Sequence, residues 1–492
     1  MIVGETPRQG TTPARDGAAA RPIYVAGTWV TTAEEVAVQG VGRSGEPFAT
    51  TFHAGPAECE TAIASAVAAE RELASLPAYE RGNALRSVAA QIEERTLELG
   101  RQLAVEAGKP IKDAVVEVER GAMVFRLAAE EAERIYGDLI PLDLNAASRG
   151  RVGIVRRFPI GAIAAISPFN LPMGLAAHKV APAIAAGCPV VLKPPSTTPL
   201  TMLSIAEMFA ATSLPAGSLS VIPMTNEVGD TLVTDPRLKL LSFTGSPDVG
   251  WSMKARAGKK KVVLELGSNS AAIVDRTADV EWAAERCCAG AFKYAGQLCI
   301  SVQRIYVHAD VWDAFVPAFL ERAQSLRVGD PLDPKTDIGP MIDTSSPERL
   351  SGWIDEALAA GGRLLLAGAV EGQFMHPTVL ADVPSDATIC REEAFGPVAV
   401  LTRFSDFTEA IDAVNDSRFG LQAGLFTNDL AHAWSAFEQL QVGGLMVNDG
   451  PTYRIDNMPF GGVKDSGLGR EGIRYAIEDM TEPRLLVLAS RP

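Results

Sequence analysis

The sequence predicts an α/β fold in which a doubly wound parallel sheet is joined by a second α/β unit and a small β arm. Three observations lead there. Short apolar runs, Ala162 to Ile166, Val190 to Leu192, Ser220 to Ile222, Leu240 to Phe243 and Val262 to Leu266, alternate with amphipathic stretches, the texture of parallel strands joined by helices. Polar or glycine-bearing groups follow these runs: Ser167-Pro168-Phe169-Asn170, Lys193-Pro194-Pro195-Ser196, Thr244-Gly245-Ser246 and Glu265-Leu266-Gly267. A second strand and helix series then runs from Ala271 to about Phe460.

Taken in order, residues 1–20 mix Gly, Ala, Thr, Pro, Arg, Asp and Glu without an apolar centre and read as a loose arm, not a secretory signal. Residues 57–136 are rich in Ala, Glu and Leu, with apolar pairs at helical spacing such as Leu99 with Leu103, and read as helices. In the sheet that follows, the turns after the strands share one end, so they converge on a crevice able to hold a ligand. A helix from Val280 is expected to end at Gly296, just before Cys299. Arg484 to Ser490 reads as a terminal strand suited to pairing with a partner subunit.

Composition sets the bounds. A chain of 492 residues implies two or three domains, and 47% hydrophobic with 21% charged residues is globular. A formal charge of −15 disfavours nucleic-acid and anionic membrane partners; Lys259-Lys260-Lys261 leads into an apolar run and reads as a strand entrance. Six cysteines without a C-x-x-C pair and five scattered histidines support neither disulfides nor a metal cluster, and fit a reducing, cytoplasmic setting. No uncharged apolar run reaches the length of a membrane span.

Chemistry enters through individual residues, each with a plain structural alternative. Cys299, alone, reads as a buried structural thiol before it reads as a nucleophile; Cys188, Cys287, Cys288 and Cys390 keep the structural reading, and Cys59 is uninformative. Glu265 closes an apolar run, an expensive place for a carboxylate unless it is solvated, paired or working; a raised pKa there suits a general base. Asn170 is a turn former or an oxyanion donor. Gly245 and Ser246 lie between a strand and a helix, where backbone N–H groups could cradle phosphate, a weak signal by itself. Gly467-x-Gly469-x-x-Gly472 has the spacing of a dinucleotide fingerprint, but no apolar strand precedes it and the chain ends about where the ribose-binding acid belongs.

Together these segments resemble the aldehyde dehydrogenase superfamily, from about Tyr24 to Leu488. The resemblance rests on Ser167-Pro168-Phe169-Asn170, Lys193-Pro194, Phe243-Thr244-Gly245-Ser246, Glu265-Leu266-Gly267, Gly296-Gln297-x-Cys299, Glu392-Glu393-x-Phe395-Gly396-Pro397 and Pro459-Phe460-Gly461-Gly462. It implies NAD(P)-dependent oxidation of an aldehyde to a carboxylic acid: Cys299 as nucleophile, Asn170 as oxyanion donor, and Glu265 as the base that hydrolyses the thioester. It implies cofactor contacts from Ser167, Phe169, Lys193, Ser196, Gly229, Phe243, Gly245, Ser246, Leu266, Gly267, Glu393 and Phe395, and no metal. It implies a cofactor domain of residues 1–140 and 160–268, a catalytic domain of 269–465, an oligomerisation arm of 141–159 with 480–492, and a homodimer or homotetramer.

Two positions depart from the family. Ser196 stands where NAD-preferring relatives carry glutamate; without that charge to repel a 2′-phosphate, NADP is expected to be accepted, even preferred, over NAD. Ser268 replaces a usual glycine and is strained if the position requires a positive φ, harmless otherwise. For the substrate, Leu171, Met173, Leu298, Ile300 and Phe460, with Phe169, give an apolar tunnel. Arg454 is either a tail-binding group or half of a structural ion pair, with Arg120 a weaker assistant. A small hydroxyaldehyde and an anionic semialdehyde both remain open. Rival readings are a coenzyme-A-acylating relative, a non-catalytic binding protein of the same fold, and a thiol hydrolase with a histidine base. No histidine motif supports the last, and His178 reads as helix packing.

Overall fold

The computed structural model describes residues 20–42 and 47–489, so the arm expected at 1–20 lies outside it apart from Ala20, as does Ser490. The predicted runs are parallel strands at Ile163–Ile166, Val190–Lys193, Leu219–Val221, Leu240–Gly245 and Lys261–Leu266. In space the third lies beside the second, then the first, fourth and fifth. The first and fourth are therefore neighbours whose connections leave in opposite directions, which opens a crevice beyond their carboxyl ends.

Ile163–Ile166 and Val190–Lys193 are buried at every position, because helices cover both faces of the sheet. One of these helices, Pro172–Ala186, buries every residue except Gly174; it begins on Pro172, whose missing N–H costs nothing there, and ends at Gly187 with φ 85°. It carries His178 and Lys179 into the interior, where each must find partners. The helical stretch expected at 57–136 is four helices, Pro56–Ser75, Ala78–Glu94, Thr96–Ala107 and Ile111–Ala132.

Antiparallel strands extend the sheet on both sides, Ile23–Val25 and then Thr28–Val30 at one edge and Gly467–Leu468 at the other. This explains the glycine motif set aside above: a Cβ on Gly467 would collide with the Leu264 carbonyl, so Gly467 serves close strand packing.

The second sheet holds six parallel strands in the order Thr378–Ala381, Val398–Phe404, Arg304–His308, Ala271–Val274, Gln422–Phe426 and Gly444–Val447, with Arg363–Leu366 antiparallel at one edge. A third sheet of Thr481–Ala489, Arg151–Pro159 and Asp138–Pro141 is antiparallel. Leu485, Leu486, Val487 and Leu488 on its outer strand are about half exposed. No helix among the described residues is long and apolar enough to cross a membrane.

Candidate active site

The helix carrying the approach to Cys299 spans Val280–Phe292 and stops four residues short of the expected Gly296. Tyr294, Ala295 and Gly296 then take φ values of 50°, 53° and 69° in succession. Left-handed backbone at a residue with a Cβ costs on the order of 1–3 kcal/mol and persists only where the surroundings hold it. Here the Tyr294 hydroxyl donates to the Ala107 carbonyl at 2.6 Å, and the buried Gln297 accepts the Ile342 N–H at 2.9 Å. A Cβ on Gly296 would collide with the Gly396 carbonyl, so glycine is required at that point. The clamped turn presents Cys299, half-buried, to a cavity of about 230 Å³.

The Asn170 amide donates to the Gln297 carbonyl at 2.9 Å, two residues before Cys299, which leaves its second N–H uncommitted. Its own carbonyl accepts from Lys109 at 2.8 Å. Lys109 is paired with Glu117, and Glu117 accepts the N–H groups of Met173 and Gly174 at 3.0 and 3.2 Å, at the start of the helix Pro172–Ala186. A buried chain of charge-assisted bonds thus fixes Asn170 to the helix terminus.

Glu265 is 3% exposed and neither carboxylate oxygen has a hydrogen-bond partner. Burial, reinforced by the charge of Glu471, pushes its pKa well above the ordinary carboxylate range, against the pull of Arg454 and Lys179. Glu471 goes the other way: Lys179 and Arg454, the latter also donating to it, outweigh its burial and hold it ionised. The Glu265 carboxylate reaches toward Gly461, where an added Cβ would lie 2.9 Å from Oε1. Gly461 follows Phe460, which shares the cavity wall with Cys299. Burial, then the Glu393 carboxylate, pushes the Cys299 thiol up to about 12, so the resting sulfur is protonated.

Of the expected substrate residues, Arg120, Leu171, Leu298, Ile300, Arg454 and Phe460 line the cavity. Met173 does not: it is fully buried in the core, where an added Cβ on Gly121 would lie 2.5 Å from its Cγ. Arg454 forms the ion pair of the structural alternative, donating to Glu471 at 3.0 Å, and it also lies 3.8 Å from the Phe460 ring centre and lines the cavity. Arg120 donates to Asp456 at 2.6 Å. The sequence reading missed His178, which lines the same cavity and meets Asp456 at 3.1 Å. The only signal was a His-Lys pair inside an otherwise apolar helix.

A second cavity of about 490 Å³ opens beyond the strand ends, lined by Ile166, Lys193, Asn226, Gly229, Phe243 and Arg256 among others. The expected Lys193, Gly229 and Phe243 meet here, and Asn226 and Arg256 join them. An added Cβ on Gly229 would lie 2.8 Å from Lys193 Cε, so the glycine makes room for the lysine. Ser167 is buried with a hydroxyl that has no partner, and Ser196 is exposed beyond the strand end. Gly245 packs on the Phe243 ring, and Ser246 immediately precedes the helix Pro247–Arg256 without a side-chain bond to it. Phe169 meets Phe395 edge to face at 5.9 Å. Leu266 is in the core, and a Cβ on Gly267 would displace the Glu393 carboxylate. Ser268 takes no positive φ; its N–H donates to Glu393 Oε1 at 2.9 Å, so the strain conceivable at this departure does not arise. A cradle with a cation, glycine clearances and an unpartnered hydroxyl fits a dinucleotide.

The sequence model of the aldehyde dehydrogenase family matches residues 29–486. The chain belongs to the aldehyde dehydrogenase family. It is 44% identical to a 3-sulfolactaldehyde dehydrogenase of Priestia aryabhattai, over 95% of this chain and 97% of that one. Aldehyde dehydrogenase 21 of Physcomitrella patens, solved in complex with the reaction product succinate, superimposes with a TM-score of 0.93 at 44% identity, covering 96% of this chain and 99% of that one. A glyceraldehyde-3-phosphate dehydrogenase of Methanocaldococcus jannaschii complexed with NADP gives a TM-score of 0.89 at 38% identity, covering 93% of this chain and 100% of that one. This aldehyde dehydrogenase therefore uses NAD(P) and oxidises aldehydes to acids.

Proposed function

We propose that this aldehyde dehydrogenase oxidises short aldehydes with an anionic tail, through a thioester on Cys299 that water hydrolyses with Glu265 as general base. The observation that carries the reading is one cavity whose wall holds both the Cys299 thiol and the guanidinium groups of Arg120 and Arg454.

The Cys299 sulfur, once deprotonated, adds to the aldehyde carbon, and the oxyanion takes the free N–H of Asn170 and the backbone N–H of Cys299. Collapse of this adduct expels a hydride, for which the bound nicotinamide supplies the acceptor. Lys193, Gly229 and Phe243 would hold the adenosine part, Ser167, Gly245 and Ser246 the phosphates, and Glu393 with Phe395 the nicotinamide ribose. Glu265 then draws a proton from water as it attacks the thioester. A base with a raised pKa suits this task, and its presence favours hydrolysis over acyl transfer to coenzyme A.

Each arginine is paired on one side, Arg120 by Asp456 and Arg454 by Glu471, and has N–H groups to spare for a carboxylate, sulfonate or phosphate. The three relatives named above act on, or hold, compounds with such tails. Arg454 is 9% exposed at its side chain, so truncating it strands Glu471; Arg120, at 36%, is the safer probe. Arg120→Gln is expected to raise KM for an anionic aldehyde about 10- to 100-fold. KM for a neutral aldehyde of the same length should stay within about threefold. Steady-state kinetics on both substrates checks this, and an equal change in both KM values refutes the anionic reading.

Because serine at 196 removes the repulsion a carboxylate would exert, NADP is the preferred cofactor in this reading. Ser196→Glu should weaken NADP binding by at least about tenfold while leaving NAD little changed, measured by fluorescence titration. Residues 1–140 and 160–268 are assigned to cofactor binding and 269–465 to catalysis. Residues 141–159 with 480–492 are assigned to pairing in a dimer or tetramer, a role suited to the half-exposed Leu485 to Leu488.

A further inference from the structure

We propose that His178 reads a hydroxyl group on the substrate, so that the aldehydes accepted best carry both a hydroxyl on the carbon chain and an anionic tail. The tail half of this statement rests on the reading above; the hydroxyl half stands on separate observations.

His178 sits in the middle of the helix Pro172–Ala186, 4% exposed, and its ring lines the Cys299 cavity. One ring nitrogen, Nε2, meets Asp456 Oδ1 at 3.1 Å. Asp456 also accepts two bonds from Arg120, at 2.6 and 3.3 Å, and these donors hold its carboxyl well below the ordinary range despite burial. An ionised carboxylate only accepts, so Nε2 carries the proton. The other nitrogen, Nδ1, is buried and has no partner. Burial, then the neighbouring Arg454, disfavours a second proton on the ring, so Nδ1 presents a lone pair.

A buried acceptor with nothing to accept from is costly, and a structural histidine in an apolar helix would have both nitrogens served. Arg454 offers the matching feature: its Nε is also buried without a partner, on the same cavity wall. Two residues of one cavity wall thus each carry a buried unmet group, an acceptor on His178 and a donor on Arg454. A bare alkyl aldehyde would leave both unmet. An anionic tail meets Arg454 and leaves His178 bare. A hydroxylated chain with an anionic end supplies the hydroxyl proton to Nδ1 and an anionic oxygen to Arg454 together.

The test is a square of four three-carbon aldehydes, with and without a hydroxyl at C2 and with and without a terminal sulfonate. Two variants are compared with the parent enzyme. His178→Gln keeps a donor near the Nε2 position for Asp456 and removes the acceptor; His178→Asn keeps an acceptor near the Nδ1 position. The parent enzyme is expected to favour the hydroxylated member of each pair by roughly 10- to 100-fold in kcat/KM. His178→Gln should bring both ratios to within about threefold of unity, by loss on the hydroxylated substrates alone, while His178→Asn keeps most of the preference. A merely structural role would lower all four values together and leave the ratios unchanged. The proposal is overturned if the parent shows no hydroxyl preference, if the Gln variant retains it, or if both variants lose it equally. The neutral pair separates this from the reading beneath it. If sulfonate brings no advantage but the hydroxyl preference persists and vanishes in His178→Gln, the tail assignment fails and the histidine assignment stands.

Discussion

Cys299→Ala is expected to reduce aldehyde oxidation by ~10³-fold or more, to the limit of detection, while reduced and oxidised cofactor still bind. The size follows from the chemistry: without sulfur no covalent adduct forms, and neither Asn170 nor Glu265 can supply a second nucleophile of comparable strength. The fold should tolerate the change, because Cys299 is only half-buried against a cavity and its turn is held by Tyr294 and Gln297 through groups other than the thiol. Absorbance of the reduced cofactor gives the turnover, and fluorescence titration gives the binding. Retained turnover would remove Cys299 from the reaction; lost turnover together with lost binding would point to a damaged fold.

Glu265→Gln should separate the two halves of the reaction. Hydride transfer needs no base on the water side, so about one equivalent of reduced cofactor per site should form rapidly. Steady turnover should then fall by ~10²- to 10⁴-fold as the thioester waits for water. Mass spectrometry of the trapped protein reads the acyl group on Cys299, and absence of both burst and adduct would refute the assigned role.

Two pH effects follow from the direction of the shift. Only the ionised carboxylate can accept a proton from water, so the acidic limb of kcat should lie above the ordinary carboxylate range, and Glu265→Gln should lose it. For stability the sign is opposite to that of a salt-bridged acid. A carboxyl whose pKa is raised by folding binds more protons in the native state, so stability falls as pH rises from the unfolded value, about 4.3, toward the folded one. Glu265→Gln should therefore melt higher than the parent, by a margin that widens across that window and then stays constant. A variant that melts lower at neutral pH would show that the carboxylate is stabilised by partners the fold does not display.

Much of the cofactor side was legible because its signals are local. An apolar run ending in a small or polar turn reports a strand and what stands at its tip, which singled out Glu265 and the Gly245-Ser246 turn, whereas the cofactor roles of Lys193, Phe243 and Gly229 came from the resemblance. Arg454 was legible only as two alternatives, since neither Glu471 nor Phe460 is a neighbour that spacing predicts; the fold brings both against it. Met173 failed for the converse reason. It follows Leu171 closely in sequence, but the helix beginning at Pro172 turns it inward against Gly121.

By itself, then, the sequence determined the α/β order and the crevice at the strand ends, because hydrophobic periodicity and turn chemistry act over a few residues; the roles proposed for Cys299 and Glu265 rest on the resemblance to the family. Tertiary structure alone decided the buried charges. Lys109 with Glu117, His178 with Asp456, and Lys179 with Glu471 join residues 8, 278 and 292 positions apart. An ionisable group has no fixed pKa or partner until the fold removes water from around it and chooses which charge replaces that water. That choice is what leaves Glu265 bare, Glu471 ionised and one nitrogen of His178 free.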